Sequence, residues 1–237
     1  MKERHLKKQK NINGKNNQQL NTFLKYILLI NLISFNIFAS EQINSTNHTQ
    51  SIVLGSGCFW GAEKGYESLP GVIEAISGYA DGRGVRPVYQ EIIQLKNKFN
   101  PNNHAEVVKV VFNSQLISLE TLLEHYFESH DPTQLNRQGN DIGTQYRSII
   151  LYENDNQKEV AENVMNTFQV LLKGNGYGDI KTSIKKIDTF FPAEKYHQDY
   201  LVKNPNGYCP DHSTGTRFNK NKELAKSDNS LLQRGKQ

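Results

Sequence analysis

The chain has 237 residues, of which 36% are hydrophobic and 10% aromatic, enough for one well-buried domain or at most two small ones. Its net charge of +4 is unevenly spread: residues 1–39 carry seven Lys and Arg and one acidic residue, which leaves 21 basic and 23 acidic residues elsewhere. A remainder so close to neutral, without interleaved basic and aromatic residues, excludes a nucleic-acid-binding face, and we expect no nucleic acid partner.

The first 39 residues have the pattern of a targeting segment. A basic stretch, MKERHLKKQKNINGK, leads into the apolar run Phe23–Ala39, which ends in the small pair Ala39-Ser40. The uncharged part of this run is too short, and too interrupted by polar residues, for a good membrane span. The pattern favours a secretory signal and export to the periplasm or the medium. An uncleaved membrane anchor, or a tail on a cytoplasmic protein, is the alternative.

The rest of the chain divides by composition into three parts. Residues 40–50 are polar and unpatterned and predict a linker, residues 51–217 carry regular patterning and predict a single domain, and residues 218–237 predict a polar tail.

Hydrophobic patterning predicts the elements of the domain in chain order. The predicted strands are residues 51–54, 72–80, 88–95, 105–112, 148–152 and 180–187, and the predicted helices are residues 60–69, 119–127, 155–172 and 193–203. Ser118 and Asn154 are the expected caps of the two central helices. Strands that follow one another without a helix between them favour an α+β fold, with helices packed on a mixed or antiparallel sheet. Residues 130–147 form a long unpatterned loop, of a kind that is often functional, and a long irregular segment ends the domain.

One of the two cysteines lies at a predicted turn between a strand and a helix. In GSGCFWGAE the strand stops at Gly55-x-Gly57, and Cys58 then stands at the start of the helix. Unpaired N–H groups and the helix dipole favour an anion there, which predicts a lowered pKa for the Cys58 thiol. A buried, inert cysteine is equally compatible with GCFWG alone. A dinucleotide-binding loop is excluded, because Trp60 stands where its third glycine is needed.

Further polar residues occur where core packing would not require them. Glu106 opens the strand EVVKVVF and is either a solvated strand end or a buried acid, while Tyr89 lies in RPVYQE. Asp141 and Tyr146 belong to the long loop, in GNDIGTQYRS, and Cys209 ends the glycine-containing NPNGYC.

Four motifs together, GCFWG, HAEVV, GNDIGTQYRS and YHQDYLVKNPNGYC, occur in one continuous order between Ser51 and Cys209. With these four motifs in this order, the sequence resembles the peptide-methionine (S)-S-oxide reductases, which are the A-type methionine sulfoxide reductases. The resemblance implies a compact α/β roll with a ferredoxin-like core. It also implies thiol-dependent reduction of the S-epimer of methionine sulfoxide, free or in oxidised proteins under repair.

The resemblance also implies roles for individual residues in the reduction. Cys58 matches the nucleophile and Glu106 the acid that protonates the sulfoxide oxygen. Tyr89 and Tyr146 match the hydroxyl donors, and Asp141 matches a carboxylate that helps to fix the site through water.

The remaining implied roles concern substrate binding and recycling. Phe59 and Trp60 match the walls of a pocket for the substrate's methyl group. Cys209 matches the thiol that resolves a Cys58 sulfenic acid, and thioredoxin or a periplasmic thiol–disulfide relay would then reduce the resulting disulfide. We expect no bound cofactor and no metal, because the seven histidines and two cysteines show no clustered ligand spacing, and we expect a monomer.

Two other function classes are compatible with parts of the sequence. A cysteine hydrolase could pair Cys58 with His197, although this would explain neither Glu106 nor Cys209. For His197 itself, packing or solvation is the favoured interpretation, and no catalytic role is predicted. An exported binding module would use Cys58 and Cys209 as a structural disulfide, as two cysteines in a secreted chain often do.

Overall fold

The computed structural model describes residues 48–84, 86–208 and 210–218. The chain divides into two units, Met1–His48 and Thr49–Gln237, and all the helices and strands of the described residues belong to the second unit. The predicted targeting segment, most of the predicted linker, the tail from residue 219 and the predicted resolving residue Cys209 lie outside the described residues. No helix formed by the described residues is long and apolar enough to cross a membrane.

Eight strands in the described residues form two sheets. They are β1 (Thr49–Gly55), β2 (Val72–Ala80), β3 (Ala105–Asn113), β4 (Arg137–Gln138), β5 (Asp141–Ile142), β6 (Ile149–Tyr152), β7 (Ser183–Lys186) and β8 (Phe190–Pro192). The main sheet has the order β7-β6-β1-β3-β2-β8, and β4 and β5 form a separate two-stranded sheet. All neighbours pair antiparallel except β6 and β7, which are parallel. The mixed sheet of the predicted α+β fold is confirmed.

Five helices accompany the sheets in the described part of the chain. They are α1 (Phe59–Glu67), α2 (Tyr89–Ile92), α3 (Leu119–Glu128), α4 (Asp155–Gly174) and α5 (Tyr200–Lys203), and single 3₁₀ turns occur at Leu95–Asn97 and Thr144–Tyr146. Both predicted caps are confirmed. The Ser118 hydroxyl accepts the N–H of Thr121 at 3.0 Å, and the Asn154 side chain accepts the N–H of Gln157 at 3.1 Å. These bonds satisfy N–H groups that have no partner within the helices.

The alternation along β3 decides which face of the sheet each residue meets. Val108 and Val110 belong to the large core cluster that also contains residues of α1, α3 and α4, whereas Ala105 and Val107 belong to a smaller cluster with Val53 and Ile149. Because side chains alternate along a strand, Glu106 shares the helix-covered face with Val108. This places an acid under the helices rather than at a solvated strand end.

Residues 88–95 do not form the predicted strand. They form α2 and lead into the first 3₁₀ turn, and Val88 and Leu95 are exposed while Ile92 is buried. The apolar residues of this segment therefore do not alternate between two faces as in a strand. The backbone forms local helical hydrogen bonds instead, such as the one that the N–H of Ile92 donates to the carbonyl of Val88.

The predicted closing helix over residues 193–203 is also wrong in extent. The segment is preceded by the strand β8, which was not predicted, and only its last residues form a helix, α5. Asp199 interrupts the helix, because its backbone lies in the left-handed region at φ 51°. Its N–H donates to the buried Glu63 carboxylate at 2.9 Å, a contact from a distant part of the chain that stabilises the interruption.

Two valines of α4 provide a matched test of the core. Val164 is 5% exposed and Val170 is 70% exposed. Val164→Ala should lower the free energy of unfolding by about 1–2 kcal/mol, because the lost burial of methyl groups outweighs the higher helix propensity of alanine. Val170→Ala should change it by less than about 0.5 kcal/mol. Urea unfolding measures both, and equal effects would contradict the packing of α4.

Candidate active site

The candidate site forms where β1 ends and α1 begins. The turn needs its glycines: Gly57 has φ +101°, and a side chain at Gly55 would come within 3.0 Å of the Glu106 carbonyl oxygen and 2.8 Å of an Ile149 methyl group. Because β3 runs antiparallel to β1, its first residues lie beside the last residues of β1. Cys58 and Glu106, 48 positions apart in the sequence, therefore meet at one end of the sheet.

Cys58 occupies the N-cap position of α1, as predicted, but its pKa is not lowered. The backbone N–H groups of Trp60 and Gly61 point to the thiol and act to lower its pKa. Burial acts in the opposite direction and is the largest effect, and the nearby Glu106 and Asp141 carboxylates add to it. The pKa of the Cys58 thiol is therefore raised well above its usual value, and the prediction of a lowered pKa is wrong.

Glu106 is the buried acid of the two predicted alternatives. Its side chain is 2% exposed, and one carboxyl oxygen accepts the N–H of Phe59, the first residue of α1, at 3.3 Å. Burial raises the pKa of Glu106 to about 8, although the bond from Phe59 opposes the change. The carboxyl group is therefore mostly protonated at neutral pH and able to donate a proton.

Tyr89 and Tyr146, which belong to two other segments of the chain, both interact electrostatically with Glu106 and Cys58. Burial raises the pKa of Tyr89 to about 12, with contributions from the charges of Glu106 and Cys58. Burial also raises the pKa of Tyr146 well above its usual value, and the same two charges contribute. Each tyrosine is thus within electrostatic reach of both groups and keeps its hydroxyl proton at neutral pH.

Asp141 lies in β5, at the rim of the site. The Tyr208 hydroxyl donates to its Oδ1 at 3.2 Å, and the Nε2 of His212 lies 3.9 Å from its Oδ2. Tyr208 and His212 lie on either side of Cys209 in the chain. A carboxylate whose charge raises the Cys58 pKa therefore also contacts the chain around the second cysteine.

Phe59 and Trp60 belong to an aromatic cluster at the start of α1. Phe59 is buried, and its ring centroid lies 5.8 Å from that of Tyr79. The Trp60 indole stacks on Tyr200 with centroids 3.8 Å apart and planes 13° apart, and its N–H donates to the Nδ1 of His197 at 3.0 Å.

Several residues that position the site were not singled out from the sequence as functional. Glu194 accepts the Tyr89 N–H at 3.0 Å and the Tyr79 hydroxyl at 2.8 Å, and so holds α2 against β2. The Arg147 guanidinium donates to the carbonyl oxygens of Thr144 and Asp81, which fixes the turn that carries Tyr146. The position of Arg147 inside the motif GNDIGTQYRS could have indicated its role from the sequence. Glu194 lies outside the four motifs, so no sequence pattern indicated its role.

A cavity of about 250 Å³ borders Cys58. It is lined by the small residues Gly61, Ala62 and Gly65 of α1 and, from the C-terminal segment, by Pro210 and His212. Two larger clefts, of about 590 and 550 Å³, lie elsewhere and contain none of the candidate site residues. We assign the chemistry by the grouping of Cys58 with the buried acid and the tyrosines, and not by cavity size.

The geometry is unfavourable for a cysteine hydrolase. The Nδ1 of His197 accepts the indole N–H of Trp60 at 3.0 Å, so the lone pair that a base would use is occupied, and the Nε2 of the neutral ring carries the proton. Cys58 is a free thiol among the described residues, and Cys209, the other half of the structural disulfide of a binding module, lies outside them.

Comparison with known proteins gives a consistent result. The sequence profile of the family described as "Peptide methionine sulfoxide reductase" matches residues 50–229. The peptide methionine sulfoxide reductase MsrA of Corynebacterium kroppenstedtii is 45% identical over 171 residues, 70% of this chain and 76% of that protein. The human mitochondrial peptide methionine sulfoxide reductase is 47% identical over 167 residues, 70% of this chain and 69% of that protein.

A solved structure agrees with the sequence relatives. The methionine sulfoxide reductase A of Corynebacterium diphtheriae superimposes with a TM-score of 0.63 at 39% identity, covering 72% of this chain and 82% of that one. The family match extends over more than half of the chain, and the relatives are matched over more than two thirds of their own length. The chain therefore belongs to the peptide methionine sulfoxide reductase family.

Proposed function

We propose that this chain reduces the S-epimer of methionine sulfoxide to methionine, with Cys58 as the nucleophile and Glu106 as the proton donor. Thiol-dependent reduction of methionine sulfoxide is the activity of its family. The observation that carries the assignment of residues is the buried Glu106 carboxyl, with a pKa of about 8, bonded to the first N–H of the helix that Cys58 begins. A sulfoxide oxygen leaves sulfur readily only when it is protonated, and this carboxyl has a proton to give.

The reductase step transfers one oxygen atom from the substrate to the enzyme. The Cys58 sulfur attacks the sulfoxide sulfur while Glu106 protonates the sulfoxide oxygen, with the Tyr89 and Tyr146 hydroxyls donating hydrogen bonds to it. The hydroxyl group then passes from the substrate sulfur to the Cys58 sulfur, which breaks the sulfur–oxygen bond of the substrate and the new bond between the two sulfurs. Methionine leaves as a thioether, and Cys58 becomes a sulfenic acid. The proton of the Cys58 thiol restores the Glu106 carboxyl, so thiol and sulfoxide give sulfenic acid and thioether in balance.

The aromatic cluster supplies the selectivity of the step. Phe59 and Trp60 form an apolar wall for the methyl group on the substrate sulfur. With the oxygen fixed by Glu106 and the two tyrosines, and the methyl group fixed by the wall, a sulfoxide of one configuration directs its sulfur at Cys58. The other epimer would exchange the oxygen with one of the carbon substituents and lose these bonds.

Recycling of the enzyme uses Cys209 as the resolving thiol. It attacks the sulfenic acid, water leaves, and a Cys58–Cys209 disulfide forms, which an external dithiol reduces. The chain on both sides of Cys209 supports this role: Pro210 lines the cavity that borders Cys58, and the Tyr208 hydroxyl contacts Asp141. Asp141 would in addition help to order water at the site.

The substrates, reductant and compartment complete the proposal. Free methionine sulfoxide and oxidised proteins are the substrates, the protein acts as a monomer, and protein repair under oxidative stress is the function. The basic stretch and apolar run of residues 1–39 support export. Thioredoxin would be the reductant in the cytoplasm, and a periplasmic thiol–disulfide relay would replace it after export.

Replacing the nucleophile tests the core of the proposal. Cys58→Ser should abolish methionine formation with dithiothreitol as the reductant, because an alcohol is a far weaker nucleophile than a thiol and forms no sulfenic acid. The circular dichroism spectrum and melting temperature should match those of the parent, since one small polar atom replaces another. Residual turnover at the parent rate would exclude Cys58 as the nucleophile.

Neutralising the acid should have two separate effects. Glu106→Gln should slow single-turnover methionine formation by roughly 10²-fold or more, because the amide cannot protonate the sulfoxide. It should also lower the pKa of the Cys58 thiol, since above pH 8 the thiol titrates beside an ionised Glu106 that the variant lacks.

The thiol pKa can be read from alkylation rates against pH in a Cys209→Ser background. Asp141→Asn is the matched control, because the Asp141 charge raises the Cys58 pKa less than that of Glu106 does, and its removal should lower the pKa by a smaller amount. An unchanged single-turnover rate in Glu106→Gln would leave the carboxyl with a structural role only.

Separating reduction from recycling tests Cys209. Cys209→Ser should still form one methionine per enzyme, because the reductase step needs Cys58, Glu106 and the hydroxyl donors alone, and Cys58 should accumulate as the sulfenic acid. Steady turnover with thioredoxin should collapse, while a small dithiol that attacks the sulfenic acid directly should restore part of it. Quenched-flow product analysis and thiol mass spectrometry measure these steps. Normal turnover of the variant with thioredoxin would remove Cys209 from the cycle.

A further inference from the structure

His197 is the polar centre of the aromatic cluster beside the site. Its side chain is 1% exposed. Its ring centroid lies 5.0 Å from that of Phe59, 5.7 Å from that of Trp60 and 4.5 Å from that of Tyr89. A single imidazole thus contacts both proposed walls of the methyl pocket and one of the proposed hydroxyl donors.

The bond between Trp60 and His197 fixes the protonation state of the imidazole. An indole N–H can only donate, so the Nδ1 of His197 must accept, and the ring is neutral with its proton on Nε2. The Nε2 lies 3.9 Å from the nearest Glu194 carboxyl oxygen, beyond hydrogen-bond distance. Burial lowers the pKa of His197, which favours this neutral form.

Trp60 is thereby held in two directions. The stacked Tyr200 ring, 3.8 Å away, fixes the plane of the indole. Stacking alone leaves a ring free to slide and turn within its plane, because the contact has no directional bond. The hydrogen bond at the indole edge removes this freedom.

We propose that His197 is a positioning residue that sets the width of the methyl pocket, by accepting the indole hydrogen bond that fixes Trp60. It acts through Trp60 and does not touch the reacting atoms. The inference rests on the proposed function and deepens it, because it names the residue on which discrimination between a methyl group and a larger substituent depends.

A matched pair of variants separates the hydrogen bond from the packing. Asn and Leu have nearly the same shape, but only Asn carries an acceptor near the position of the histidine Nδ1. The parent and His197→Asn should prefer methionine sulfoxide over ethionine sulfoxide by about tenfold or more in kcat/KM, the usual effect of one methylene group in a fitted pocket. His197→Leu should lose most of this preference through a higher KM for methionine sulfoxide, with a single-turnover rate at saturation within about threefold of the parent.

Equal selectivity in the Asn and Leu variants would overturn the proposal, since a packing role predicts equal effects. If His197→Leu does not fold, the parent protein still provides a test. Trp60 is the only tryptophan of the chain, so its indole gives a single N–H signal in a ¹⁵N-labelled sample. A scalar coupling between this nitrogen and an imidazole nitrogen, lost in His197→Asn, would support the proposal, and its absence in the parent would overturn it.

These outcomes are distinguishable from failure of the proposed function. A parent protein that shows the coupling but reduces no sulfoxide would contradict the proposed function and leave the contact between His197 and Trp60 intact. An active parent without methyl selectivity would contradict the methyl pocket and with it the role of His197, but not the reduction of sulfoxide by Cys58.

Discussion

The site depends on one buried hydrogen bond, from the Phe59 N–H at the start of α1 to the Glu106 carboxyl at the start of β3. Ionising a buried carboxyl is costly, so its pKa rises to about 8 and the group keeps its proton at neutral pH. The same bond ties the helix that begins after Cys58 to the sheet. The proposed proton donor and the proposed nucleophile are thus held close to each other by two adjacent elements of the fold.

Burial of Cys58, to which the charge of the neighbouring Glu106 adds, explains why the helix start does not produce a thiolate. The N–H groups of Trp60 and Gly61 favour the anion, but burial and the Glu106 charge oppose it more strongly. Cys58 therefore rests as a thiol, which reacts with oxidants more slowly than a thiolate does.

Local patterns predicted the parts of the structure that depend on local interactions. The helix caps Ser118 and Asn154 and the strand β3 follow from residue type and spacing. The sequence alone left Glu106 as a solvated strand end or a buried acid, and the packing of the helices on β3 decides for the buried acid. The sequence did not predict what distant contacts decide. Trp60 and His197 are 137 positions apart, and Glu63 holds Asp199 in a left-handed conformation from 136 positions away. The direction of the Cys58 pKa shift was predicted wrongly for the same reason, because burial is the largest effect on the thiol and the charges of Glu106 in β3 and Asp141 in β5 add to it.

In the proposed cycle, the substrate and the C-terminal segment approach Cys58 along two different faces of α1. Trp60 and Glu63, one turn apart, lie on the face where Trp60 stacks on Tyr200 and Glu63 accepts the N–H of Asp199. Gly61 and Gly65, four positions apart, lie on the face that borders the cavity that Pro210 also lines. Small residues on the second face leave room for the C-terminal segment, and large ones on the first face build a fitted wall. The proposed nucleophile at the helix start can in this way be approached by a sulfoxide on one side and by the C-terminal segment on the other. The sequence GCFWGAEKG encodes both faces within a single helix.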